Sequence, residues 1–190
     1  MATNTDLDIC SRALVQLGEA PITSFTQGSA ASRTAALLYE ATVEAMFGAH
    51  RWHFATRTEQ LSQLADPPDS DWDAEYVLPT DCLVVKKLRC NDDPVEFELH
   101  ENTLRCNVDE NDALYLSFTA RINEAYWPPY FRELVEKELV ARFAFPITAN
   151  EGVAAEARRA ANAQLRAARL LDGQSQTTRP IRQSRFLASR

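Results

Sequence analysis

The chain has 190 residues and a formal net charge of -7, and this length suits one domain that buries a real hydrophobic core. Hydrophobic residues make up 45% and charged residues 25%, which is typical of a soluble globular protein. The acidic balance argues against nucleic acid as the main partner, because neutralising phosphates requires clustered Lys and Arg.

The sequence predicts a cytoplasmic protein with reduced thiols. No run of about 18 uncharged apolar residues is present, so no membrane span is expected. The N-terminal stretch MATNTDLDICSR has neither a basic start nor an apolar core, and no signal peptide is predicted. Four cysteines should therefore be free thiols, and their spacing lacks the CxxC of a zinc ribbon. They are Cys10, Cys82, Cys90 and Cys106.

Two helices are predicted in the first quarter of the chain. The segment DLDICSRALVQL predicts a helix over about 6–17, capped by Thr5 or Asp6 and ended by Gly18. A second helix is expected over about 30–49. Its inward stripe is rich in small residues, which allow another helix to approach closely. The stripe comprises Ala31, Ala35, Leu38, Thr42, Ala45, Met46 and Ala49.

The middle of the chain changes to short strand-like segments. The stretch LADPPDSDWDAEYVLPTDC holds three prolines and five aspartates, so a helix is excluded and an exposed connection is expected. A β insertion over about 76–122 alternates β-branched and aromatic segments with turn-forming clusters. This pattern predicts a three- or four-stranded antiparallel meander. Val95, Phe97 and Leu99 should face inward, and so should Phe118.

Helical periodicity returns after WPPY. A helix is predicted over about 129–145, with two prolines in its first turn and Pro146 as its stop. Its inward stripe is Phe131, Leu134, Val135, Leu139 and Phe143. A last helix is expected over about 151–171, ended by Gly173. Its inward stripe is Val153, Ala157, Ala161, Leu165 and Ala168.

Together these elements predict an α+β fold in one domain, residues 1–173. It would be mainly a bundle of about four α-helices, with the antiparallel β meander inserted and projecting from it. Residues 174–190 carry four arginines, no acidic residue and few apolar groups. Such a segment cannot bury enough surface to order itself alone, so an extended C-terminal tail that needs a partner is predicted.

The stretch HRWHFATR, residues 50–57, allows three interpretations. His50 and His53 could offer two imidazoles to a metal, but Cys82, Cys90 or His100 would have to complete the site through long-range contacts. A mixture of basic and aromatic residues also resembles single-strand binders; these residues are Arg51, Trp52, Phe54 and Arg57. The simplest interpretation is structural. Trp52 and Phe54 would anchor the end of the second helix in the core, with the histidines capping it or half exposed.

No motif predicts catalysis or a cofactor. The sequence lacks GxSxG, a P-loop and GxGxxG, and five glycines are too few for phosphate-cradling loops. The aspartates near Pro67 and Pro68 do not fit a calcium loop. Four arginines of the last helix form no single stripe, so a solvated face is expected, with a subunit interface as the alternative. They are Arg158, Arg159, Arg166 and Arg169.

Several segments in a fixed order resemble a known family. They are DICSRALVQLGEAPITSF, SRTAALLYEATVEAMFGAHRWHFATR, YVLPTDCLVV and FRELVEKELVARFAFPIT, followed by an Ala/Arg-rich helix. Across nearly the whole chain this order resembles the tail tubular protein A family, the head-to-tail adaptors of short-tailed bacteriophages. Related adaptors of long-tailed phages and gene-transfer particles share similar helices.

The resemblance implies a structural virion protein without catalytic residues, cofactor or metal. Such adaptors form a ring of twelve subunits between the portal protein and the tail nozzle protein. Genomic DNA passes through the lumen without specific binding. The protein would be assembled in the host cytoplasm and reside at the portal–tail junction of the virion. Three alternatives stay open: an adaptor or connector of a long-tailed phage or gene-transfer particle, a small metal-dependent enzyme using His50, His53 and a cysteine, and a nucleic-acid-binding assembly factor using the basic tail.

The resemblance also assigns surfaces. The C-terminal segment of such adaptors docks on the portal. Here arginines would meet carboxylates and apolar side chains would anchor the segment; the residues are Arg179, Ile181, Arg182, Arg185, Phe186 and Leu187. A closed ring needs two complementary surfaces on each subunit, and the Ala-rich faces of the second and last helices are the candidates.

Overall fold

The computed structural model describes residues 5–65, 71–91, 93–108 and 112–175. These residues form a mixed α+β fold, as predicted, with four α-helices and short antiparallel strands. The elements are α1 Asp6–Gln16, α2 Ala30–Gly48, β1 Thr56–Gln60, β2 Ala74–Val77, β3 Cys82–Cys90, β4 Asp93–Pro94, β5 Glu98–His100, β6 Thr103–Cys106, β7 Leu114–Ala120, a 3-10 turn Glu124–Tyr126, α3 Pro129–Thr148 and α4 Glu151–Gln174.

The first two helices begin at the caps that the sequence indicates. The hydroxyl of Thr5 accepts a hydrogen bond from the Asp8 amide at 3.2 Å, and the Asp8 carboxylate accepts one from the Thr5 amide at 3.1 Å. This reciprocal capping box satisfies donors that the first turn leaves open. Ser29 caps α2 with its side chain, accepting from the Ser32 amide at 3.1 Å. Gly18 takes a left-handed conformation just after α1, which ends the helix at little steric cost.

The buried face of α2 differs from the predicted stripe. Ala45 is exposed and Ala49 is half-buried, whereas Tyr39, Val43 and Phe47 are buried. The face is therefore rotated by about one residue toward the larger side chains. Burying an aromatic or branched side chain removes far more apolar surface from water than burying an alanine, so the large residues set the orientation of the helix.

Helix α3 is the hub of the helical part, since α1, α2 and α4 all pack against it. Its predicted stripe from Phe131 to Phe143 is buried, and Glu138, Val140, Ala141 and Ala144 are buried as well. The prediction that Pro146 stops this helix is wrong, because α3 continues to Thr148. A proline this close to the end removes only one helical hydrogen bond. The last turn is closed by Ala149, whose amide donates to the Phe145 carbonyl at 2.9 Å.

Helix α4 lies along α3 and buries a narrow strip. Ala157, Ala161 and Ala168 are buried, but Val153 is 39% exposed, so its predicted inward position is wrong. Leu165 is half-buried. The helix also runs through Gly173, the expected end, to Gln174. Because Asp172 is fully buried, it anchors this last turn and keeps it helical.

The strands divide between two antiparallel sheets. A four-stranded sheet has the order β1-β7-β3-β4, and a three-stranded sheet has the order β2-β6-β5. A single meander is not confirmed, because β7 lies between β1 and β3 and pairs with both. Strand β1 also precedes the predicted insertion. The order follows long-range pairing of apolar faces, which local sequence patterns do not reveal.

One face of the four-stranded sheet packs toward α2. Strand β7 alternates buried Leu114, Leu116 and Phe118 with the outward Tyr115 and Ser117, so the inward prediction for Phe118 is confirmed.

The inward prediction around Phe97 is confirmed in part. Val95 and Phe97 are half-buried and pack against the core, although neither lies in a strand, whereas Leu99 is 51% exposed and its predicted inward position is wrong. Strand β5 begins only at Glu98 and lies at the edge of the small sheet, and all three of its residues are exposed. Across the ranges that the structure describes, none of the helices combines the length and the apolar character needed to cross a membrane.

Candidate functional site

Residues 50–54 form the joint between α2 and β1. Trp52 is fully buried, and its indole Nε1 donates to the Met46 carbonyl at 2.7 Å. The Trp52 ring meets Phe131 edge-on, with 5.1 Å between ring centroids. The prediction that Trp52 anchors the end of α2 in the core is therefore confirmed. Phe54 is half-buried against the same aromatic cluster.

The joint is fastened by the buried carboxylate of Asp172, at the far end of the chain. The His53 amide donates to both carboxylate oxygens, at 3.2 and 3.1 Å. His53 Nδ1 lies 2.9 Å from Oδ2, and His50 Nε2 lies 3.7 Å from the same oxygen. The Tyr130 hydroxyl donates to Oδ1 at 2.8 Å. One carboxylate thus connects the α2–β1 joint with α3 and α4.

This network shifts the pKa of two of its side chains. Burial raises the pKa of Tyr130, and the Asp172 carboxylate that accepts its hydrogen bond raises that pKa further. Desolvation lowers the pKa of His50, although Asp172 opposes the shift. Little in the sequence indicates this cluster, because Asp172 lies in an Arg-rich helix and resembles a surface charge. Its only signal is the helical spacing, which puts it on the same face as Ala161 and Ala168.

The histidines do not join the other proposed metal ligands. Cys82 and Cys90 lie on β3 and His100 on β5, whereas both histidines face Asp172. Within residues 5–65, 71–91, 93–108 and 112–175, no group of three or more His, Cys, Asp or Glu side chains is placed to hold a metal ion.

All four cysteines are free thiols, as the sequence predicts. Burial raises the pKa of Cys10 to about 12 and that of Cys82 and Cys106 to about 11. A thiol must lose its proton to act as a nucleophile or metal ligand. These three groups therefore stay protonated at neutral pH and are poor nucleophiles.

The four arginines of α4 have two different roles. Arg158 donates to the buried Glu138 at 2.6 Å, and Arg169 donates to the Ala49 carbonyl, at the end of α2, at 2.6 Å. These two stabilise the fold. Arg159 and Arg166 are exposed, and neither forms an ion pair with any described residue.

Arg159 and Arg166 belong to an outer face of α4 that points away from the buried alanines. We define the α4 outer face as Gly152, Ala155, Glu156, Arg159, Ala163, Arg166 and Leu170, all exposed. It holds three small residues and has a net charge of +1, and Leu170 is 65% exposed.

Helix α2 carries a face of similar shape and opposite charge. We define the α2 outer face as Leu37, Ala41, Glu44, Ala45 and Gly48, all exposed. Leu37 is 78% exposed. Glu40 borders this face and pairs with Arg121 at 2.7 Å, whereas Glu44 forms no ion pair within the described part of the chain. Each outer face lies opposite the side by which its helix packs on α3.

The six residues predicted to dock on the portal, from Arg179 to Leu187, lie outside the described residues, and their role stays a prediction. Comparison of the chain with known protein families and with curated proteins finds no match to either.

Proposed function

We propose that this chain is a structural head-to-tail adaptor of a bacteriophage, similar to tail tubular protein A. In this proposal subunits form a ring of twelve between portal and tail nozzle, and genomic DNA passes through the lumen. The four helices act as one bundle from which the sheets project. The proposal is supported by the sequence segments that occur in the same order as in the family. The observation on which it chiefly depends is the pair of outer faces.

The two outer faces fit one another in shape. Each face holds three alanine or glycine residues, so the axes of two helices could approach to about 8 Å, the close end of helix packing distances. Leu37 on one copy and Leu170 on the next would supply the apolar surface removed from water. Burying the two leucine side chains would contribute about 1.5–3 kcal/mol each.

The two outer faces also fit one another in charge. Glu44 on the α2 outer face would meet Arg159 or Arg166 on the α4 outer face. Opposite charges at such a contact fix its register and disfavour the contact of a face with its own copy. A contact between two different surfaces is head-to-tail, and a head-to-tail contact that closes on itself gives a ring.

The Asp172 network supports the same function. It ties the end of α4 to the end of α2, so it sets the angle between the two helices that carry the outer faces. In a ring of identical subunits this angle determines how many copies close the circle. Asp172 would therefore act as a structural joint, and no catalytic step is assigned to its histidine neighbours.

Mass measurement and electron microscopy test the proposal. The purified chain, mixed with the portal ring of its own particle, should form a closed ring of twelve on the portal. Glu44→Lys should prevent closure, and combining it with Arg159→Glu and Arg166→Glu should restore it. Glu19→Lys, an exposed charge change on neither outer face, is the matched control. A wild-type chain that stays monomeric and does not bind the portal would contradict the proposal.

A further inference from the structure

The outer side of the four-stranded sheet carries a concentrated positive charge. An open cavity of about 600 Å³ lies there, lined by residues of β1, β3 and β7 and of the α2–β1 joint. We call it the basic cavity; its lining is Arg51, Thr56, Thr58, Lys86, Lys87, Arg89, Asn91, Tyr115 and Ser117. Four of these side chains are cationic, and no carboxylate is among the described lining residues. The chain as a whole has a net charge of -7, so this cluster of positive side chains contrasts with its overall charge.

A β-bulge brings two neighbouring lysines into the basic cavity. In a regular strand, adjacent side chains point to opposite faces of the sheet. The pairing of β3 with β7 shifts register between Val85 and Lys87, which releases Lys86 from the alternation. Both Lys86 and Lys87 therefore line the same cavity. Bulges often re-aim side chains in this way beside functional sites.

Lys86 is fixed in place while its charge stays close to a second cation. Its Nζ donates to Thr56 Oγ1 at 2.5 Å and to the Trp52 carbonyl at 3.3 Å. Burial lowers the pKa of Lys86 and the nearby Arg51 guanidinium lowers it further, while the Asp172 carboxylate opposes both shifts. The two like charges repel one another, and a bound anion would reduce that repulsion.

The hydroxyl groups of the lining can also donate hydrogen bonds. Thr58 and Ser117 hold their hydroxyls 2.9 Å apart, so one of the two can donate outward, whereas the Asn91 side-chain amide already donates to Asp112 at 3.0 Å. Tyr115 is 43% exposed, so its ring can stack on a base or sugar. Cations, hydroxyls and an exposed aromatic ring are the groups with which proteins bind the nucleic-acid backbone without reading sequence.

We propose that the basic cavity binds the phosphodiester backbone of a nucleic acid. A neighbouring acidic cavity shares Asn91 and contains Asp73, Asp93 and Asp112. These carboxylates would repel phosphates, so the contact is short and involves few phosphates of the strand. A short, sequence-independent contact of this kind retains a passing strand only weakly. The proposal stands on this surface alone and does not rest on the ring.

The test uses a short fluorescent DNA duplex and the matching single strand, with binding measured by polarisation between about 50 and 200 mM NaCl. The variant Arg51→Ala/Lys87→Ala removes two cations from the cavity. The control Arg33→Ala/Lys137→Ala removes two cations from α2 and α3, outside the cavity and outside both outer faces. We expect duplex affinity at low salt to fall about tenfold in the cavity variant and to stay within about twofold in the control.

The salt dependence and the aromatic ring provide independent measures. The slope of log affinity against log salt should shrink by about 2 in the cavity variant, because two phosphates would no longer be neutralised by a cation. Tyr115→Ala should weaken the single strand more than the duplex, because only unpaired bases can stack on the ring. Equal reductions of affinity in cavity variant and control would overturn the proposal, and so would a wild-type chain that binds neither DNA.

Two further outcomes separate this inference from the proposed function. If the cavity variant fails to self-associate while DNA binding is unchanged, the cavity binds carboxylates of a second copy and the proposal is wrong. If the chain binds DNA through the cavity but forms no ring on the portal, the inference stands and the adaptor proposal fails.

Discussion

At the scale of single residues, Trp52 is the one buried side chain among residues 50–54, the joint after α2. Its indole is fully buried, hydrogen-bonded and surrounded by aromatic rings. Trp52→Ala should lower the free energy of unfolding by about 3–5 kcal/mol, because truncation leaves a large cavity. Urea denaturation measures this. His50→Ala should cost much less, since that side chain is partly exposed. A fold that tolerates the tryptophan variant but collapses without His50 would contradict this assignment.

Replacing Asp172 should also lower the stability of the helical part. Asp172→Ala would leave the half-buried His53 amide and Tyr130 hydroxyl without their acceptor, at about 1–3 kcal/mol for each donor that stays unsatisfied. Thermal and urea unfolding should therefore show a stability lower by several kcal/mol. Tyr130→Phe, which removes one donor and leaves the carboxylate bonded to His53, is the matched control and should cost about 1 kcal/mol. An alanine variant as stable as that control would show that the carboxylate does not fasten the joint.

At the scale of elements, helices can be predicted from sequence because their signals are local. Thr5 and Ser29 are caps within the same turn that they stabilise, and apolar spacing identifies α1 and α3 directly. The face of α2 is harder to predict, because alanine fits both a buried and an exposed position. Pairing of β7 with β1 and β3 depends on residues far apart in the chain. The role of Asp172 is hidden for the same reason, since its partners lie more than forty positions away.

Two phenylalanines of the β region are buried to different depths. Phe118 is fully buried on the central strand β7, whereas Phe97 is half-buried and outside any strand. Phe118→Ala should cost about 3–5 kcal/mol of stability and Phe97→Ala clearly less, because the cost follows the volume of the cavity left behind. Equilibrium unfolding of both variants measures the difference. Equal costs would mean that Phe97 is buried as deeply as Phe118.

At the scale of the whole molecule, charge is distributed unevenly and each region suggests a different contact. The α2 outer face is acidic, the α4 outer face and the basic cavity are basic, and the last residues carry arginines without acids. A monomer in free solution needs none of these patches. An assembly subunit needs several, because every neighbour requires a distinct complementary surface.

The C-terminal segment offers the sharpest test at this scale. Sequence composition predicts that residues 174–190 do not stabilise the body. Because α4 includes Gln174 and is capped by Ser175, the tail is shortened after Ser175, and that chain should keep its melting temperature. Ser175 must stay, because its amide and hydroxyl donate to the Asp172 carbonyl at 3.1 and 2.6 Å. If the segment docks on the portal, the shortened chain should no longer bind the portal stably, as measured by co-sedimentation.

Point variants separate charge from length in the same assay. Reversing Arg182 and Arg185 to Glu should weaken capture, because each change would place an anion where a carboxylate is expected. Phe186→Ala should weaken it by removing an apolar anchor, whereas Gln183→Ala, a polar residue of the same segment, should leave capture unchanged. Equal capture by the full and shortened chains would exclude portal docking by this segment. A shortened chain that unfolds would instead show that the segment packs on the body, against the prediction from its composition.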